Sequence, residues 1–129
     1  MAEGYSETTL DHYESPRNLG LIENPDAAAS HSNPICGDRL RLTLRISDGD
    51  VQSAGFEVQG CVAATAAASV MTELVLGRSL AQAEAMRSDE ILSALGGLPP
   101  GRAHGALLAA ETLAAALAEF RLNSTEQVR

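Results

Sequence analysis

Aromatic residues are nearly missing from this chain. Tryptophan is absent, and phenylalanine and tyrosine together make up 3% of its 129 residues. Basic residues are also scarce, with 9 Lys and Arg against 17 Asp and Glu, a formal net charge of −8. A nucleic-acid binder needs a basic face for phosphates and, for single strands, rings on which bases stack, so that class is excluded. Acidity of this size suits solubility and contact with basic proteins. No apolar run approaches the roughly 20 residues of a membrane-spanning helix, and the first residues lack the basic start and apolar core of a signal peptide. The expected location is therefore cytoplasmic, with no membrane partner. In that compartment the two cysteines, Cys36 and Cys61, are candidates for metal binding or reactivity rather than for a disulfide. A P-loop, a dinucleotide-binding glycine fingerprint and a nucleophile elbow are all lacking, and no internal repeat is visible. The expectation is a binding module or scaffold, not a self-contained enzyme.

The length fits one domain with a single core, expected over residues 1–122 with a polar tail at 123–129. Tyr5 to Arg17 reads as a short surface helix ended by Pro16 and Gly20. In it Leu10 and the Tyr13 ring are expected to pack inward while the charged groups, His12 and Arg17 included, face water. A short edge strand is expected near Ala27–Ser32. From Arg39 to Ser47 the residues alternate: Leu40, Leu42, Leu44 and Ile46 on one face, Arg39, Arg41, Thr43 and Arg45 on a solvated one. Asp48-Gly49-Asp50 signals a hairpin turn, and the return strand, Val51 to Gln59, carries Phe56 and Val58 inward. Gly60 breaks the strand, and an Ala-rich helix follows Cys61, small or apolar almost all round and hence buried, with a stop at Gly77. Ser79-Leu80-Ala81-Gln82 has the form of a capping box. Ser88 is expected to cap a further short helix ending at Gly96-Gly97. The Pro99-Pro100 pair is expected to be extended and to lead into a last helix over about His104 to Leu122, whose packed face carries Leu113, Leu117 and Phe120. Strands first and helices after imply an α+β fold, a three-stranded antiparallel sheet with helices packed on one face.

A hairpin returns the chain to its starting edge, so Cys36 and Cys61 can meet. In Cys36-Gly37-Asp38, the glycine permits a bend that aims a thiolate and a carboxylate at one point; a loop cysteine beside a turn aspartate is the plainer reading. Cys61 at a helix start has exposed amides and the macrodipole to favour its thiolate as ligand or nucleophile, or it is a small core residue. His104 also lies near a helix start. Together Cys36, Asp38, Cys61 and His104 offer S, O, S and N donors, a set that suits zinc or the iron of a sulfide cluster.

The runs D-H-Y-E-S-P-R-N-L-G, C-G-D, G-C-x-A-x-x-A-x-S-x-M-T-E, G-R-S-L and L-P-P-G-R-A-H, in that order from Tyr5 to Phe120, resemble the IscU/NifU N-terminal family of iron–sulfur cluster assembly scaffolds. With no long insertion between Cys61 and His104, the chain is closer to the IscU type than to the zinc-dependent SufU sulfurtransferases. The resemblance implies a transient [2Fe-2S] cluster, or zinc in its place, held by Cys36, Asp38, Cys61 and His104. It implies a cysteine desulfurase, a heat-shock chaperone with its co-chaperone, and apo iron–sulfur proteins as partners. It assigns the chaperone contact to Leu98, Pro99, Pro100 and Arg102, where the family has L-P-P-V-K and this chain has L-P-P-G-R. The family's third cysteine, linked to receipt of persulfide sulfur, would follow His104. Gly105 stands there instead, which leaves two implied readings: a scaffold or carrier working with two cysteines, or a non-assembling homologue that binds zinc or no metal and engages the desulfurase.

Overall fold

A computed structural model of the chain describes residues 4–34 and 37–127. Helix α1 (Glu7–Glu14) is followed by strands β1 (Ala27–Ser32), β2 (Arg39–Ser47) and β3 (Asp50–Gln59), then by helices α2 (Val62–Val75), α3 (Leu80–Glu84), α4 (Ser88–Leu95) and α5 (His104–Gln127). The sheet is antiparallel throughout, in the order β1-β2-β3. The alternation in β2 places Leu40, Leu42 and Leu44 at no more than 1% exposure on the inner face. Val58, Phe56 and Ala54 stand opposite them in β3, and His31, Ala29 and Ala27 in β1. The hairpin turns on Asp48 and Gly49, both at positive φ (55° and 79°), the conformation that a two-residue turn between twisted strands requires.

Helices α2 and α5 lie on the leucine face of the sheet, α1 packs on α2, and α4 bridges α2 and α5. Buried Ala, Met71, Val75, Leu113 and Leu117 join the sheet residues in one core. Ser79 and Gln82 form the capping box in full. At the end of α4, Gly96 adopts the left-handed conformation and the Gly97 N–H returns to the Leu92 carbonyl, closing off otherwise open carbonyls.

Five local expectations are corrected. In α1 the buried residues are Thr9 and His12, whereas Tyr13 is 43% exposed. The polar pair goes inside because it finds partners there: Thr9 Oγ1 donates to Leu95 O at 3.2 Å, and His12 Nδ1 lies 2.7 Å from Ser69 Oγ. Thr43 is not on a solvated face. The chain after α1 crosses over it, so that its hydroxyl accepts from Ile22 N–H and donates to Gly55 O, each at 3.0 Å, while Arg45 donates to the carbonyls of Glu23 and Asn24. The same crossing pairs Asn18 and Gly20 with the backbone of Phe56 along the outer edge of β3. Arg87, not Ser88, occupies the N-cap of α4, and no side chain caps it. The proline pair enters a tight turn, with Arg102 N–H bonded to Pro99 O and Gly101 at φ 82°, because a glycine third in a Pro-Pro-Gly-Arg run permits the positive φ of a type II turn. Finally, α5 continues past Leu122 to Gln127.

Candidate metal centre

Three of the four candidate ligands come together at one end of the sheet, each delivered by a different element. Asp38 stands where the chain enters β2. Its position is fixed by backbone bonds across the preceding loop, Asn33 N–H to Asp38 O (2.8 Å) and Gly37 N–H to Asn33 O (2.7 Å). Cys61 is the N-cap of α2, in extended conformation and with its side chain free of any capping bond. The Thr65 N–H and hydroxyl both donate to the Cys61 carbonyl, so the residue joins the first turn through its backbone and not through its thiol. His104 opens α5.

The Cys61 thiol is 3.5 Å from Asp38 Oδ2 and donates to it. His104 Nε2 lies 3.8 Å from the same oxygen. One donor atom from each of the three residues lies within 4.8 Å of the other two. Asp38 is 5% exposed; Cys61 and His104 are half-buried. Among the described residues, His104 Nε2 is buried and has no hydrogen-bond partner. An orphaned imidazole nitrogen in such a place carries a desolvation cost unless something accepts its lone pair or its proton. A thiol, a carboxylate and an imidazole converging around that nitrogen are the donor types for zinc or for iron. The fourth candidate, Cys36, lies outside the described residues.

Residues matching a family profile described as the NifU-like N terminal domain run from 4 to 127. The chain belongs to that family. This NifU-like domain is 38% identical over 121 residues to the iron–sulfur cluster assembly scaffold protein IscU of Escherichia coli strain K12, covering 91% of the chain and 94% of the relative. It is 35% identical over 116 residues to an iron–sulfur cluster assembly scaffold protein IscU of Archaeoglobus fulgidus, covering 90% and 76%. Its fold matches the crystal structure of a nitrogen-fixing NifU-like protein (N-terminal) from Brucella abortus with a TM-score of 0.71 at 23% identity, covering 90% and 93%. The α+β architecture expected from the sequence is thus the architecture of the family.

Beyond the candidate ligands, the NifU-like domain has two glycines beside them whose packing the sequence did not disclose. Gly60 precedes Cys61 and reads as a strand breaker, yet a Cβ there would lie 2.8 Å from the Asp38 carboxyl carbon. Gly105 follows His104 and reads as a missing cysteine, yet a Cβ there would meet the backbone of α2. The available signal was positional: each glycine is the immediate neighbour of a candidate ligand. Leu98 and Pro99 are half-buried, while Pro100 and Arg102 are exposed on the turn that leads to His104. Among the described residues no helix is long and apolar enough to cross a membrane.

Proposed function

We propose that this protein holds an iron–sulfur cluster as transient cargo and passes it to apo-proteins. The observation that carries the reading is the convergence of Cys61, Asp38 and His104 Nε2, which has no hydrogen-bond partner among the described residues, in a chain of this family. Cys36 would supply the second thiolate. Iron held partly by a carboxylate and an imidazole is bound less firmly than by thiolates alone, which suits release of a [2Fe-2S] unit. The sulfur would come from a cysteine desulfurase. The exposed turn with Pro100 and Arg102, anchored by the half-buried Leu98 and Pro99, is the segment that a heat-shock chaperone and its co-chaperone would grip. A rigid turn loses little entropy on capture, although Gly101 offers no apolar anchor there.

A second reading is favoured by Gly105. With no thiol at that position, the S, O and N donors suit a single tetrahedral zinc, and the protein would then engage the desulfurase without building a cluster.

Anaerobic incubation with ferrous iron, cysteine and a cysteine desulfurase separates the two. The cargo reading expects a visible sulfide-to-iron charge-transfer band that passes from this chain to added apo-ferredoxin as the ferredoxin becomes active, and that Cys61→Ser does not develop. A protein that develops no band, yet takes up one zinc per chain with the desulfurase bound, establishes the zinc reading in its place.

A further inference from the structure

Both ligand-bearing segments are flanked by a glycine, and in each case the space where a side chain would begin is already taken by another part of the site. A Cβ on Gly105 would lie 2.9 Å from the carbonyl carbon of Ala63, 3.0 Å from its oxygen and 3.0 Å from Ala64 N. These atoms are backbone of the first turn of α2, the turn that Cys61 caps, and they cannot swing aside as a side-chain tip would. A Cβ on Gly60 would lie 2.8 Å from Cγ and Oδ1 of Asp38 and 3.1 Å from its Cβ. Neither glycine is needed for backbone conformation, since neither is among the residues with positive φ. Gly105 stands, moreover, inside a helix, where alanine is the better residue by propensity.

We infer that Gly60 and Gly105 are positioning residues. The first lets the Asp38 carboxylate tuck beneath Cys61, and the second lets α5 seat its first turn directly on α2, so that His104 Nε2 reaches the same oxygen as the Cys61 thiol. Residue 105 therefore acts as a spacer of no width between two ligand-bearing helices. A cysteine there would not simply add a donor: it would lift α5 from α2 and carry His104 away from Cys61 and Asp38. The inference rests on the site proposed above and goes beyond it, because it assigns the geometry of that site to two residues that hold no metal.

Cobalt(II) is the probe, since its visible spectrum reports thiolate ligation and coordination number. Titrations of the full chain would compare Gly105→Ala, Gly105→Cys and Gly60→Ala with a core control, Ile91→Val, whose side chain is fully buried in α4. The expected result is a loss of cobalt affinity of about tenfold or more in all three glycine variants, the scale of disturbed ligand orientation, with an altered ligand-field spectrum. The control should lower the thermal midpoint and leave affinity and spectrum alone. Gly105→Ala should also lower the midpoint, against helix propensity. Gly60→Ala, where only the Asp38 side chain must move, keeps the test open if the variants at 105 do not fold. Unchanged affinity in Gly105→Ala or in Gly60→Ala overturns the inference. So does tighter binding by Gly105→Cys with stronger thiolate-to-cobalt absorption. His104→Ala separates the two levels: if it binds cobalt as the parent does, the site itself is wrong and this inference falls with it, whereas weakened binding by His104→Ala beside intact glycine variants sinks the inference alone.

Discussion

Ser69 Oγ, fully buried in α2, serves two groups that arrive from outside its own helix. His12 Nδ1 lies 2.7 Å away and the Arg17 N–H donates to it at 2.9 Å. One hydroxyl thus ties both the helix α1 and the turn after it to the middle of α2, and the neighbouring Thr72 hydroxyl accepts from Asn18 Nδ2 at 3.1 Å. Removing the oxygen takes the partner from the buried His12 Nδ1 and from the part-buried Arg17 N–H. Each unsatisfied group costs about 1–3 kcal/mol. Ser69→Ala is therefore expected to destabilise the fold by roughly 2 kcal/mol or more, read as a lowered urea midpoint at unchanged m-value. An Ala variant at exposed Ser93 of α4 should stay within about 0.5 kcal/mol of the parent. A Ser69→Ala protein as stable as the parent would mean that His12 and Arg17 find other partners and that this hydroxyl is no clasp.

At the scale of the element, α1 is held by its polar side, and this makes its attachment sensitive to pH. Burial holds His12 below its ordinary pKa of 6.5, with the Arg17 charge adding to the effect and Glu73 and Asp11 opposing it. In the unfolded chain His12 takes up a proton near 6.5; in the folded chain it resists until lower pH. The native state therefore binds fewer protons over that interval, and stability falls as pH drops through it. The thermal midpoint of the parent should decline from pH 7 toward pH 5.5, and His12→Gln should flatten that decline. The lowered carboxylates of Asp11, Glu84 and Glu90, each bonded to an arginine, lose their contributions only as pH falls below their ordinary values, which separates the two windows. Equal slopes in parent and variant would show that His12 is not the group responsible. The same element shows what a sequence discloses and what it withholds. Many ends and the periodicity were legible, because caps, turns and alternation are local: β1, the hairpin, the Ser79–Gln82 box and Gly96 all stand as expected, while the start of α4, the end of α5 and the turn at Pro99–Arg102 do not. The inward face of α1 was not, because Thr9 and His12 become good interior residues only when Leu95 O and Ser69 Oγ, far along the chain, meet them. Thr43 was hidden for the same reason, since its cover comes from a crossing segment. At the candidate site, the motifs named Asp38, Cys61 and His104, which the fold brings together, whereas the close packing at Gly60 and Gly105 depends on which elements lie against which.

For the molecule as a whole, α2 decides how tightly everything else closes. It has α1 on one side, α5 and α4 on others, and the sheet through β3 beneath. Ala63, Ala64, Ala66, Ala67 and Ala68 are each no more than 2% exposed. A helix enclosed on all these sides must be thin, and a run of alanines makes it thin without losing helix propensity. The bulk of the core is then supplied by the surroundings: Leu40, Leu42, Leu44 and Phe56 from the sheet, Ile91 and Leu95 from α4, Leu113 and Leu117 from α5. The short side chains carry the consequence to the site, since α5 approaches α2 closely enough at Ala63 for Gly105 to be in contact with its backbone. Widening α2 should therefore cost stability and disturb the site together. Ala67→Leu inserts three carbons where no exposure remains, and overpacking of this kind costs about 1–3 kcal/mol. The same change at Ala114, exposed on α5, should stay within about 0.5 kcal/mol of the parent. Guanidinium denaturation of the two variants measures the first part, and cobalt titration of Ala67→Leu at a temperature where it is folded measures the second. Lost stability with unchanged cobalt affinity would confine the strain to the core. Weakened affinity would show that the spacing of α2 and α5 is one property, set along the whole helix and read out where Cys61 meets His104.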